Sequence, residues 1–271
     1  EAGILRYRGY PIDQLAEKST FVETSYLLIY GKLPSKKELA DFSEMLTRHS
    51  LIHEDMLHFY DGYPSTAHPM AILSSMVCSL SSYYPEWLDP HQQGQVDALV
   101  PRVLSKIRTI AAYSYKKSIG QPVIYPKNSL DYCANFLYMM FGKEQPELFV
   151  KAMDMGLILH ADHEFNASTF TAREIASTLS DMHSAVVGAI GALKGPLHGG
   201  ANEGVMRTLL EIGSLEKVEP WLAAARASKR KVMGFGHRVY KTKDPRAKIL
   251  QKTSEEVGVA TGNRSWFDMS V

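Results

Sequence analysis

The sequence predicts an all-α fold, and three observations predict it. Apolar residues recur at three- and four-residue spacing, helix-opening signals precede several of these runs, and alternating strand patterns are scarce. In chain order, Thr20–Glu23 and Ser35–Glu38 both read Ser/Thr-x-x-Glu, in which the hydroxyl caps a backbone N–H and the glutamate reaches back. Helices are expected to open at both. Met70, Leu73, Val77 and Leu80 mark the apolar face of a further helix, and Cys133, Phe136, Leu137 and Met140 that of another. A longer run, Ile175, Leu179, Met182, Val186, Ile190 and Leu193, predicts one continuous helix opened by the same motif at Thr171–Glu174. Pro34, Pro64, Pro85, Pro122, Pro126 and Pro146 fall between the runs, where a residue without a backbone N–H ends a helix. The chain has no internal repeat, low-complexity tract or long linker.

With 271 residues, 45% apolar and 22% charged, the chain has the balance of an ordinary globular protein with ample core. No apolar run approaches the roughly 18 residues of a bilayer span, so no membrane association is expected. No targeting segment is visible, and the start, at Glu1 rather than a methionine, is expected to be trimmed. Cys78 and Cys133 lie among apolar residues and are expected to be buried free thiols, which suits a reducing compartment. The expected location is the cytoplasm, or the mitochondrial matrix or another organelle in a eukaryote. The net charge of +1 conceals an asymmetry. Between Arg226 and Lys252 ten lysines and arginines face one acid, Asp244, for a local +9 against −8 elsewhere. Such a segment suits an anionic ligand held at one place. Nucleic acid competes for that role, but the segment lacks interleaved aromatics and every established DNA-binding motif. A compact polyphosphate ligand is the better expectation.

Three histidines stand in unusual settings. His163 lies in Leu-His-Ala-Asp-His-Glu-Phe-Asn (159–166), His198 in Gly-Pro-Leu-His-Gly-Gly-Ala-Asn-Glu (195–203), and His237 in Met-Gly-Phe-Gly-His-Arg-Val-Tyr-Lys (233–241). Flanking glycines let the backbone turn sharply and let a ligand approach the main chain. A glycine-rich turn with a surface histidine is the bland alternative for either segment alone; two such segments, one inside the basic run, argue for a site. Competing chemistries fail on spacing. Gly234-Phe-Gly236 lacks the third glycine of a dinucleotide fingerprint, and no Gly-Lys-Ser/Thr or Gly-x-Ser-x-Gly occurs. His160 and His163 sit three apart but not in His-Glu-x-x-His, so no metal is expected.

At these three segments the chain resembles the citrate synthase family. GPLHGGANE and GFGHRVYK, followed by Asp-Pro-Arg at 244–246, are near-signature strings in the expected order. GILRYRGYPIDQLA at 3–16, HPM at 68–70, TIAAY at 109–113, YPKNSLDYCANFLYMMFG at 125–142 and LHADHEFNAS at 159–168 extend the likeness over essentially the whole chain. The resemblance implies a helical homodimer whose large domain (residues 1–200 here) carries a smaller, mobile, coenzyme A-binding domain beginning at 201. It implies condensation of oxaloacetate with acetyl-CoA to give citrate, with no tightly bound cofactor and the coenzyme A thioester as substrate. By similarity His198 would hydrogen-bond the thioester oxygen, His237 would polarise the oxaloacetate carbonyl, and His163 and Arg246 would bind oxaloacetate. Arg238 and Lys241 would meet the coenzyme A phosphates, and the Gly234, Phe235 and Gly236 backbone its adenine.

The family's general base is an aspartate in an Asn-Val-Asp-like segment several dozen residues beyond the second histidine. No such segment follows His237, and Asp268 in Trp-Phe-Asp-Met does not match, so the sequence is expected to be part of a longer chain and impaired alone. 2-Methylcitrate synthase, using propionyl-CoA, shares these motifs, because one methylene is worth only about 1–3 kcal/mol of discrimination. Citryl-CoA cleavage draws on related motifs. A non-catalytic helical interaction module or inactive fragment is the alternative of another class.

Overall fold

Helices dominate the computed structural model, which describes residues 3–85, 91–236 and 241–271, without the side chain of Gln93. A short antiparallel hairpin that the sequence did not signal comes first, β1 (Arg6–Tyr7) and β2 (Tyr10–Pro11). Its turn residues, Arg8 and Gly9, have φ of 48° and 92°, the left-handed pair that a two-residue hairpin needs. There follow α1 (Ile12–Lys18), α2 (Phe21–Tyr30), α3 (Lys36–Arg48), α4 (Leu57–Asp61), α5 (Pro69–Tyr83), α6 (Gln93–Ser118) and α7 (Tyr132–Phe141). The second half holds α8 (Glu147–His160), α9 (Ala167–Ser177), α10 (Met182–Lys194), α11 (Gly200–Ile212), α12 (Val218–Ala227), α13 (Pro245–Ala260) and α14 (Ser265–Ser270).

The first two capping boxes form as expected. Thr20 accepts from the Glu23 N–H and Ser35 from that of Glu38, and each glutamate accepts from the capping residue's own N–H. The third does not. Asn166 caps α9, accepting from the Thr169 N–H at 3.1 Å, while Thr171 lies inside the helix with its hydroxyl on the Ala167 carbonyl. Nor is the long apolar run one helix. Leu179 takes a left-handed φ of 62°, and Asp181 starts α10 by accepting from the Ser184 N–H at 3.1 Å. A three-residue spacing across Leu179–Met182 mimics a helix that the cap at Asp181 interrupts. The two halves instead fold back on one another. They meet closely at Gly188, where a Cβ would lie 2.2 Å from the Ile175 Cδ1 and that side-chain end would have to shift.

Two apolar clusters organise the large part of the molecule. The first joins α4, α5, α6, α7 and α10 through Tyr60, Ile72, Met76, Val77, Leu80, Ile110, Met139 and Ile190. Here Val77 and Leu80 are buried but Met70 and Leu73 only half so, because Ile72 and Met76 turn the buried face by part of a turn. Cys133 is buried, whereas Cys78 is exposed, against expectation, since it points away from that face. The second cluster packs Tyr7, Ile12, Leu15 and Leu27 against Ile158 and Leu159 of α8, with Ile249 and Leu250 of α13 alongside. A smaller group, Leu209, Ile212 and Met269 with Val205, Val218, Trp221 and Trp266, gathers α11, α12 and α14. Among the described residues no helix is long and apolar enough to cross a membrane.

Tyr7 ties the hairpin to the end of α8. Its fully buried hydroxyl donates to the Ile158 carbonyl at 2.9 Å and accepts from the Asp162 N–H at 3.3 Å. Tyr7→Phe strips both bonds without opening a cavity, and the expected loss is about 1–3 kcal/mol in urea unfolding. Leu80→Ala, which deletes fully buried methyl groups, is expected to lose about 2–5 kcal/mol in the same assay. An unfolding midpoint for Tyr7→Phe equal to that of the parent would show that this hydroxyl does not hold the end of α8.

Candidate active site

The site begins where α8 ends. The ring of His160 finishes the helix by bonding the Gly156 carbonyl at 2.6 Å, and Tyr7 pins the next turn. Glu164 follows with a φ of 56°, a left-handed value rare outside glycine, which throws the chain sharply between His163 and the Asn166 cap of α9. His163, half-buried, is thereby held three residues before the cap.

Across from it stands the start of α13. Asp244 caps this helix, its Oδ1 accepting from the Arg246 N–H at 2.9 Å, with Pro245 at the first helical position. The same carboxylate grips the Arg246 side chain along one edge, accepting from Nε at 3.0 Å and from Nη2 at 2.7 Å. Nη1 of Arg246 reaches the Leu159 carbonyl at 3.4 Å. Burial pushes the Asp244 carboxyl up, but hydrogen bonds from Arg246 and the charges of Arg246 and His163 outweigh it, and the net shift is downward. His163, Asp244 and Arg246 thus form one electrostatic group.

His198 occupies the tight turn between α10 and α11. The Gly195 carbonyl accepts both the His198 N–H at 3.0 Å and the Gly200 N–H at 3.1 Å. A Cβ on Gly199 would lie 2.4 Å from the Leu193 Cδ1 and 2.7 Å from its carbonyl; one on Gly200 would lie 2.6 Å from the Lys194 carbonyl. The glycines are therefore required by backbone crowding rather than by left-handed φ. The turn delivers the His198 Nε2 to within 2.9 Å of the Ser168 hydroxyl, in the first turn of α9, and that hydroxyl also donates to the Ala189 carbonyl at 3.0 Å. His163 and His198 accordingly flank the same helix N-terminus, one just before its cap and one just after.

The glycine-rich segment of the basic run lies against α11. Gly234 and Gly236 have φ of 90° and 82°, as glycines at sharp turns should. A Cβ on Gly204 would touch the Met233 side chain at 3.0 Å, and one on Gly234 would meet the Val205 Cγ2 at 2.8 Å. The segment is thus seated against the second turn of α11, six to seven residues beyond His198, with Phe235 76% exposed between its glycines. His237 and Arg238 lie outside the described residues, and Lys241 is exposed. Several cations of the run have partners: Arg230 is held in a two-pronged contact by Glu211 at 2.7 Å and stacks over Trp221. Among the described residues no group of three or more His, Cys, Asp or Glu side chains is gathered as a metal site would need.

Comparison with known proteins gives the family. The family model for the citrate synthase C-terminal domain matches residues 1–271. The chain belongs to the citrate synthase family. It is 51% identical over 266 residues to citrate synthase 1 of Mycobacterium tuberculosis, covering 95% of this chain and 62% of that protein. It therefore spans somewhat under two thirds of the length of that relative. Among solved structures, citrate synthase of Pyrobaculum aerophilum superposes with a TM-score of 0.88 at 42% identity, covering 96% of this chain and 67% of that one. That of Thermoplasma acidophilum, solved as a ternary complex with carboxymethyl coenzyme A and oxaloacetate, gives 0.93 at 32% identity, covering 99% and 71%.

Within this family member, sequence reasoning singled out His163, His198 and Arg246 but gave no part to Ser168 or Asp244. Both were findable. Asn166 three residues before Thr169 signals a helix start that puts Ser168 in the first turn, and Asp-Pro-Arg is an N-cap followed by a first-turn proline. The turn geometry makes a prediction of opposite signs. Gly200→Ala is expected to destabilise by about 1–3 kcal/mol, because backbone rather than a flexible side chain meets the new Cβ. Gly191→Ala, on an exposed position of α10 with open space around it, is expected to stabilise by about 0.5–1 kcal/mol. Thermal unfolding of the two variants side by side checks both signs.

Proposed function

We propose that the protein condenses oxaloacetate with acetyl-CoA to give citrate and free coenzyme A, through an enol of the thioester. The observation that supports this reading is that His198 meets Ser168 in the first turn of α9, while Arg246, beside His163, meets the end of α8 that leads to the same helix, in a chain 51% identical to a citrate synthase. Loss of the thioester α-proton places negative charge on its oxygen, and a donor fixed in advance at that oxygen stabilises the charge by about 2.7–4 kcal/mol. His198, held by Ser168 and the crowded glycine turn, is that donor. His237 polarises the oxaloacetate carbonyl, the enol carbon attacks it to form the new C–C bond, and hydrolysis of citryl-CoA releases the products. Arg246 gives oxaloacetate two parallel N–H groups, and His163 gives it a further hydrogen bond. The family's base is an aspartate in a segment that these 271 residues do not contain.

Arg238 and Lys241 meet the coenzyme A phosphates, and Gly234, Phe235 and Gly236 lie against its adenine. Both substrates come and go, and no tightly held cofactor is needed. The smaller domain begins at 201 and closes over the substrates, expelling water; the separate cluster of α11, α12 and α14 supports that division, while α13 packs back on α1 and α8. The protein works as a homodimer. Support for that comes from α9, an 11-residue helix with no buried residue in this chain and with Phe170 56% exposed. Free thiols at Cys78 and Cys133 favour a reducing compartment such as the cytoplasm or mitochondrial matrix. Acetyl-CoA is favoured over propionyl-CoA because the relatives reported above are citrate synthases.

The test is steady-state release of coenzyme A from each thioester in the presence of oxaloacetate, measured on the full-length protein that includes the base-bearing segment. Acetyl-CoA is expected to turn over faster, and His198→Ala is expected to reduce kcat about 10²–10³-fold while the protein stays folded. Faster turnover of propionyl-CoA would make the protein a 2-methylcitrate synthase. No oxaloacetate-dependent release of coenzyme A, with no binding of oxaloacetate, would favour the interaction module.

A further inference from the structure

We propose that Asp244 is a positioning residue for oxaloacetate, fixing the plane of the Arg246 guanidinium so that a substrate carboxylate meets it already oriented. The proposal rests on the reading of Arg246 as the carboxylate clamp. Its ground is that Asp244 does more than a helix cap requires. One acceptor suffices to cap α13, and Oδ1 supplies it to the Arg246 N–H at 2.9 Å. Yet Oδ1 also accepts from Nε at 3.0 Å, and Oδ2 from Nη2 at 2.7 Å, so one edge of the planar fork is held by two bonds. The Nη1 contact with the Leu159 carbonyl adds a third point, on the end of α8 that leads to His163. Three points define a plane. A long side chain with several rotatable bonds, only 16% exposed, is thereby kept in one orientation.

Two effects of Asp244 on an anionic ligand oppose one another. Its negative charge lowers the local positive potential and weakens attraction for a dicarboxylate. Its grip spares the ligand the cost of ordering Arg246 on binding. The geometry decides for the second. The pair is largely shielded from water and in direct two-bond contact, so replacing the carboxylate by an amide would turn an N–H₂ group toward a guanidinium N–H and force the fork to rotate. Asp244→Asn keeps a carbonyl oxygen for the cap, which separates capping from positioning.

The test is oxaloacetate binding by calorimetry, with KM and kcat for oxaloacetate and thermal unfolding measured on the same samples of the full-length protein that includes the base-bearing segment. Asp244→Asn is expected to weaken oxaloacetate binding about tenfold and to raise its KM with a smaller change in kcat. Its unfolding temperature is expected to fall somewhat, because the amide leaves the Arg246 charge uncompensated, while circular dichroism of the folded protein is expected to stay that of the parent. In an Arg246→Ala background the same change is expected to add nothing, since Asp244 acts through Arg246. Equal or tighter binding by Asp244→Asn would overturn the proposal, as would the same tenfold loss in the Arg246→Ala background. Asp244→Ser, which caps but cannot grip the fork, guards against a folding defect special to asparagine; if both variants lose helical structure, Asp244 is structural and the proposal falls. Failure of the parent protein to bind oxaloacetate, or full binding by Arg246→Ala, would instead sink the reading on which the proposal rests.

Discussion

The packing of the half-buried Ile249 and Leu250 on the cluster that holds Ile158 and Leu159 is the contact on which the site depends. It lays α13 across the end of α8, and only then does the start of α13 face the loop that carries His163. The same end of α8 is fixed from the other side by the Tyr7 hydroxyl. A residue from the first ten positions, a helix end near 160 and a helix start near 245 are thus assembled through apolar packing, and the polar contacts follow from it. The charged group at Asp244 and Arg246 would be costly to bring together without that scaffold, since burying either partner alone leaves an uncompensated charge.

The basic run gains a different meaning once it is folded. As a sequence it is a block of positive charge; as a structure it is divided. Arg230 is gripped by Glu211, whose carboxyl is pulled down to about 2, chiefly by that hydrogen bond, and this contact lies by α11 and α12, far along the chain from Arg246. Arg246 is oriented by Asp244 beside His163. Lys252 lies 4.0 Å from Glu256, at a distance and exposure where an ion pair contributes little. The excess charge sets a field that attracts an anion to this part of the molecule, while only the cations held in place can recognise its shape.

Much of this was legible in the sequence. Periodicity and two capping boxes gave the helical class and the openings of α2 and α3, and the glycine-flanked His198 marked the turn between α10 and α11. What failed did so for local reasons. The spacing of Ile175, Leu179 and Met182 satisfies a helical period, and nothing in periodicity weighs Asp181 as a stronger signal than Leu179 as a core residue. Cys78 sits among apolar neighbours along the chain but on the outer face of α5, and a one-dimensional neighbourhood does not distinguish the two. The roles of Gly199 and Gly200 were read as conformational freedom, whereas they serve close packing of backbone on backbone, which depends on where Leu193 and Lys194 end up.

Ser168 shows how such local details bear on chemistry. Its hydroxyl has one proton and two neighbours, the Ala189 carbonyl at 3.0 Å and the His198 Nε2 at 2.9 Å. Both contacts are satisfied when the hydroxyl donates to Ala189 and Nε2–H donates to the hydroxyl, which leaves Nδ1 of a neutral ring as an acceptor. A thioester oxygen needs a donor. If that oxygen approaches from the Nδ1 side, the ring must be the other tautomer, with the Nε2 proton given up to solvent and one taken from solvent at Nδ1, and the hydroxyl turns from Ala189 to donate to Nε2, at the expense of one hydrogen bond worth about 1 kcal/mol. On the proposed reading, then, the serine in the first turn of α9 selects which edge of His198 can stabilise the enol, and the small energy separating the two arrangements lets the arriving ligand reverse the choice.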